Sequence, residues 1–228
     1  MREAEGGLCP PSFGLHPDYF DQGKGSALVR QIRDLPGARV LVAVAGAPGS
    51  GKSTLAEALV ARLDRAVLVP MDGFHLDDAV LDARGLLARK GAVETFDADG
   101  FAALAQRLGQ PGAEVVFPVF DRARELAVAG AGVVSPDDRI VVVEGNYLLL
   151  DRAPWNAVHY DLTVCLDVSE HELKRRLQER WRGFGKDGAA VAAHLANDLA
   201  NAGVVVRQSR KADVVLIGEE AHQEPREA

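Results

Sequence analysis

The run Gly46-Ala47-Pro48-Gly49-Ser50-Gly51-Lys52-Ser53 brings together three things that a polyphosphate needs. Glycines let the backbone bend so that successive N–H groups converge on phosphate oxygens, a helix start adds partial positive charge, and Lys52 supplies a mobile full one. Ser53 offers a hydroxyl to Mg²⁺. The apolar run at 40–45 reads as a strand and the stretch from Thr54 to residue 63 as an amphipathic helix. That context separates a phosphate loop from an ordinary glycine-rich turn with a lysine.

A phosphate loop fixes only the donor; phosphoryl transfer also needs an acceptor held in line, a group to take its proton, and positive charge on the transferring oxygens. Asp72 ends the next strand in sequence and is placed to accept the proton of an acceptor hydroxyl, although Asp72-Gly73 is equally a common turn pair. His75 either hydrogen-bonds substrate or sits at a helix start. Glu144 ends the run Ile140-Val141-Val142-Val143, where a carboxylate beside Ser53 holds Mg²⁺ through water; Asp167, ending another apolar run, is its rival. Arg175, Arg176, Arg180 and Arg182 precede Gly183 and Gly185, and a helix of this kind could close over a triphosphate. Pairing with Glu170, Glu172 and Glu179 accounts for several of them equally well. Arg122 and Arg124 are separate candidates for substrate contact.

The elements that must position these groups follow from periodicity. Residues 66–70, 113–117, 138–144, 161–168 and 212–217 read as further strands, with a polar loop over 118–125. Helices are expected over 17–35, over 76–90 with a break near Gly85, over 99–108, after the N-cap Ser169 with Glu172 three residues on, and over 187–202. Strands alternating with helices give an α/β architecture with a mostly parallel sheet. The 228 residues, 47% of them hydrophobic, suit one domain with a small appended lid, and the net charge of −7 offers no footprint for nucleic acid. No run is expected to reach the length of a membrane span, and Cys9 and Cys165 read as a tail thiol and a core residue, which together point to the cytoplasm.

In order along the chain, the motifs resemble the phosphoribulokinase, uridine kinase and pantothenate kinase family of P-loop kinases. Residues 46–53 match its phosphate loop, Met71-Asp72-Gly73-Phe74-His75 its segment with a catalytic aspartate, and Phe96-Asp97 a substrate-facing phenylalanine before a helix. Pro118-Val119-Phe120-Asp121 is similar to an acceptor-lining stretch, Val143-Glu144-Gly145 to a strand end, and Arg175-Arg176 with Arg180 to a lid helix. Ser209-Arg210-Lys211-Ala212-Asp213 resembles a segment near adenine in a bacterial subgroup known as nucleoside, nucleotide or fructose transport system kinases. Gly73, Phe120 and Arg122 depart from the uridine kinase pattern.

The resemblance implies a three-layer P-loop NTPase fold with a small helical lid at about 175–190, an N-terminal tail and helix over 1–37, the kinase domain over 38–217, and a disordered tail over 218–228. It implies ATP and Mg²⁺ as cofactors and transfer of the γ-phosphate to an alcohol group of a sugar, nucleoside or related metabolite. The expected catalytic groups are Asp72, Lys52 and Arg180. Gly46, Ala47, Pro48, Gly49, Ser50, Gly51, Lys52, Ser53, Thr54, Arg176 and Arg210 are expected to hold the nucleotide, and Ser53 and Glu144 the metal. Phe74, His75, Phe96, Phe120, Arg122 and Glu144 are expected at the acceptor. No nucleic-acid or membrane partner is expected, and homodimerisation is left open. The alternative is an ATP-binding or ATP-hydrolysing regulatory protein with no small-molecule acceptor.

Overall fold

The computed structural model describes residues 23–218; the expectations for 1–22, Cys9 included, and for 219–228 lie outside them. Strand β1 (Val40–Gly46) is buried at every position, as a central parallel strand covered on both faces must be. Its alternate residues feed two cores. Val40, Val42 and Val44 meet Leu28 and Ile32 of α1 (Lys24–Arg33) and Leu55 and Leu59 of α2 (Lys52–Val60). Leu41, Ala43 and Ala45 face the other layer, with Phe101, Leu104 and Trp155.

The remaining chain order is β2 (Ala66–Pro70), a 3-10 turn at Met71–Phe74, α3 (Asp78–Ala83), α4 (Ala98–Leu108), β3 (Val115–Asp121), β4 (Leu126–Val134), β5 (Ile140–Gly145), β6 (Leu162–Asp167), α5 (Glu170–Gly183), α6 (Gly188–Gln208) and β7 (Val214–Ile217). The main sheet has the order β2-β5-β1-β6-β7 with every described pairing parallel. Register sets Val44 against Glu144, Pro70 against Glu144 and Gly46 against Leu166. The phosphate loop, Asp72 and Glu144 therefore leave the sheet at one edge, the carboxyl ends of its strands, where open parallel sheets bind ligands.

The structure corrects three expectations. Residues 118–121 are strand, not loop, and β3 pairs with β4 in a separate antiparallel hairpin outside the main sheet. Strand β4 is rich in Ala and Gly and carries little alternation signal; Gly132 is needed there because a Cβ would lie 2.3 Å from the Phe117 ring. The turn shrinks to 122–125, where the Asp121 carboxylate accepts the N–H groups of Ala123 and Arg124.

Helix α6 runs six residues past the expected end at 202, through Gly203 and three valines, because Val205 is drawn into the core. At 21 residues it is also long and apolar enough, by length and composition, to cross a membrane, contrary to expectation. In this fold it buries Val191, Leu195, Ala202 and Val205. Helices α4, α5 and α6 each open on a side-chain cap, from Asp97, Ser169 and Asp187 respectively.

Candidate functional site

The phosphate loop turns on two glycines in the left-handed region, Gly49 (φ 79°) and Gly51 (φ 90°), and Gly51 caps α2 so that Lys52 is its first residue. Gly46 has no room for a side chain: a Cβ would stand 2.5 Å from the Ser50 hydroxyl, which is itself buried without a hydrogen-bond partner. Leu177 of α5 packs against Gly49, and Ala47 clusters with Val168, Leu173 and Ala202, so the loop rests on α5 and α6.

Ser53 donates its hydroxyl to the Glu144 carboxylate at 3.0 Å. Glu144 is buried, and burial pushes its carboxyl up, with Lys52 and the Ser53 hydroxyl offsetting only part of that cost. A hydroxyl beside an under-compensated carboxylate is a hard-oxygen pair that fits Mg²⁺. Among the described residues no group of three or more His, Cys, Asp or Glu could hold a metal. The rival Asp167 is exposed at the end of β6, and its backbone carbonyl accepts the N–H of Gly218.

Asp72 stands in the 3-10 turn after β2, and Arg122 Nη2 donates to its Oδ2 at 2.6 Å. Burial would raise the Asp72 carboxyl, but the charges of His75, Arg122 and Lys52 and the Arg122 hydrogen bond outweigh it and hold the group below its ordinary value. His75 is pushed down by burial, against the pull of the Asp72 carboxylate. His75 Nδ1 lies 2.8 Å from the Asp72 carbonyl, which can only accept, so Nδ1 carries the proton.

The His75 ring packs on Phe96 and Phe120, with centroids 4.1 and 4.9 Å apart, and Arg122 and Lys90 reach the Phe120 ring. Lys90, which the sequence reading did not single out, is tied to Asp78 at 2.6 Å. Gly73 is set by close approach: a Cβ would lie 2.1 Å from the Pro118 carbonyl oxygen of β3. The hairpin is thus pressed onto the turn that carries Asp72.

Not every expected residue arrives at this edge. Phe74 turns its ring onto Phe101, 5.4 Å away, and belongs to the core layer. Arg210 donates to the carbonyls of Asn156 and Val158, while nearby Asp213 ties the start of β7 to Thr163 near the start of β6. These contacts fasten the amino-terminal side of the sheet, opposite the phosphate loop, so Arg210 is not brought to the nucleotide edge.

On α5, Arg175 pairs with Glu172 and Glu179, and Arg176 Nε donates to Glu172 at 2.5 Å. The Arg180 guanidinium lies over the rings of Trp181 and Phe184. Sequence reasoning passed over the polar residues of α6. Asn197 donates to the Lys90 carbonyl at 2.9 Å and Asp198 accepts the Trp181 indole N–H at 2.8 Å. The available signal was a polar cluster at 197, 198 and 201 in an otherwise apolar helix.

Residues 42–194 match the family described as AAA domain. A Silicibacter sp. TM1040 protein of known crystal structure, provisionally named a fructose transport system kinase, is 44% identical, with a TM-score of 0.79 over 84% of this chain and 98% of that one. A Schizosaccharomyces pombe protein provisionally named a uridine kinase is 36% identical over 197 residues, 78% of this chain and 83% of its own. A pantothenate kinase of Listeria monocytogenes serotype 4a is 30% identical over 151 residues, 62% of this chain and 49% of that enzyme. The chain belongs to the phosphoribulokinase, uridine kinase and pantothenate kinase family of P-loop nucleotide-binding, small-molecule phosphotransferases.

Proposed function

We propose that the chain is an ATP- and Mg²⁺-dependent kinase that transfers the γ-phosphoryl group to a hydroxyl of a sugar, nucleoside or related small metabolite. The observation that carries this reading is the pair of sites sharing one sheet edge. The Ser53–Glu144 pair lies beside the phosphate loop, and the Arg122-paired Asp72 lies beside the rings of His75, Phe96 and Phe120.

Lys52 and the backbone N–H groups of residues 49–54 bind and orient the phosphates. Mg²⁺, when bound through Ser53 and Glu144, supplies charge neutralisation. Asp72 accepts a hydrogen bond from the acceptor hydroxyl; as that oxygen bonds to the γ-phosphorus and the bond to the ADP oxygen breaks, the proton passes to Asp72. His75, Phe96, Phe120 and Arg122 flank the acceptor. Arg180, with Arg176 behind it on α5, brings the lid charge to the phosphates and excludes water.

The test is ADP release measured against a panel of sugars, nucleosides and pantothenate, with wild type and Asp72→Asn. We expect strict dependence on an acceptor, and a rate loss of about a hundredfold or more in D72N with ATP affinity retained. Acceptor-independent hydrolysis that survives in D72N would instead identify a regulatory ATPase.

A further inference from the structure

The polar residues of α6 form a strip on the side that meets the lid and the turn at 90–91. The Asp198 carboxylate takes the Trp181 indole N–H, and the indole lies flat on His194, with centroids 4.0 Å apart and 14° between planes. The Arg180 guanidinium sits 5.8 Å from the Trp181 centroid and 5.7 Å from that of Phe184. Burial pushes the Asp198 carboxyl up, against the indole hydrogen bond and the charges of Arg180, His194 and Lys52. This carboxylate therefore stands within electrostatic reach of Lys52 and Arg180, two of the cations assigned to the phosphates.

We infer that Asp198 is a positioning residue of the phosphoryl-transfer site, fixing the Trp181 indole and through it the ring platform that aims the Arg180 guanidinium at the γ-phosphate. The inference rests on the reading of Arg180 as the lid cation. A part-buried indole needs an acceptor for its N–H, and Asp198 is the one it has. With the indole clamped between Asp198 and His194, a guanidinium lying over it has one preferred orientation, so less freedom is lost when the lid meets its ligand. Asp198 also offsets the repulsion between Lys52 and Arg180.

The test needs no acceptor. Wild type, R180A, D198A, W181F and the R180A/D198A double variant are titrated with ADP and with the non-hydrolysable analogue AMP-PNP in the presence of Mg²⁺, and the ratio of the two Kd values is read. A cation aimed at the γ-phosphate favours AMP-PNP alone. We expect R180A to lower the preference about tenfold, as for loss of one charge-assisted contact, and D198A and W181F to lower it by about threefold or more. The double variant should fall no further than R180A, because the two residues act as one unit.

A purely structural role would weaken both nucleotides alike and leave the ratio unchanged. W181F keeps an aromatic ring at this position while removing the N–H donor and the second ring of the indole, so it carries the test if D198A does not fold. If R180A loses the preference while D198A and W181F keep it, or if the double variant is additive, the inference is overturned alone. If R180A keeps the preference, the reading of Arg180 falls with it.

Discussion

Glu172→Gln should destabilise the lid helix by an amount that depends on pH. Glu172 is buried on the first turn of α5, where it accepts Arg175 Nε at 2.8 Å, Arg175 Nη2 at 2.6 Å and Arg176 Nε at 2.5 Å. The Arg175 hydrogen bonds, opposed by desolvation and joined by those of Arg176, hold its carboxyl at about 2, against an ordinary 4.5. That gap, at 1.36 kcal/mol per pH unit, corresponds to about 3 kcal/mol. The Arg175 side chain is 41% exposed, so solvent screening brings the expected cost nearer to about 2 kcal/mol.

The sign follows from proton binding. Between pH 4.5 and 2 the unfolded chain holds a proton on Glu172 that the folded chain does not. The contribution is therefore complete above 4.5 and fades as pH falls towards 2. For a chain of this size about 2 kcal/mol is roughly 4–8 °C in Tm. Thermal unfolding of wild type and E172Q by circular dichroism should show that gap at pH 7 and less than about half of it at pH 3. A gap under about 1 °C at pH 7, or one as large at pH 3, would refute the reasoning.

Two other perturbations test how the acceptor side is held. Gly73→Ala puts a methyl group into the Pro118 carbonyl, so the hairpin or the turn bearing Asp72 must move; we expect a loss of about 1–3 kcal/mol in thermal unfolding and at least a tenfold drop in transfer rate. An unperturbed Tm would show that β3 yields freely. Arg122→Ala removes a charge that keeps Asp72 ionised, so the acid limb of the kcat–pH profile should move to higher pH. An unmoved limb would mean that His75 and Lys52, without Arg122, set the Asp72 carboxyl.

The donor half of the site was legible because its chemistry is local. From residue 46 to residue 53 the chain itself makes the turn, the helix start and the charge, and β1 is apolar throughout because both faces are covered. Asp72 and Glu144 were legible for a related reason: each follows a run whose burial forces a strand, and in a parallel sheet every strand end lies on the same edge. The hairpin was less visible. Val116 and Val133 face solvent, β4 is mostly Ala and Gly, and the strand-like pattern expected of a half-buried ribbon is diluted.

Arg122 and Asp198 show a different limit. Both belong to the site through partners far away in sequence: Arg122 meets Asp72 across 50 residues, and Asp198 meets Trp181 across a helix–helix junction. Arg122 was expected at the acceptor but not its pairing with Asp72, and periodicity assigns an aspartate in an alanine-rich helix to an exposed face, since neither signal contains the partner. What could have flagged Asp198 is its cost. An acid in the middle of a 21-residue apolar helix loses hydration on packing unless something compensates it, and here the compensation is an indole donor and two nearby cations. Arg176 differs: its Glu172 partner lies four residues earlier on α5, so part of the compensation comes from its own helix. A buried charge satisfied within its own helix speaks for helix stability. One satisfied only by a second helix makes the position of that helix matter to the site, which is why nucleotide selectivity is the measurement that separates Asp198 from Glu172.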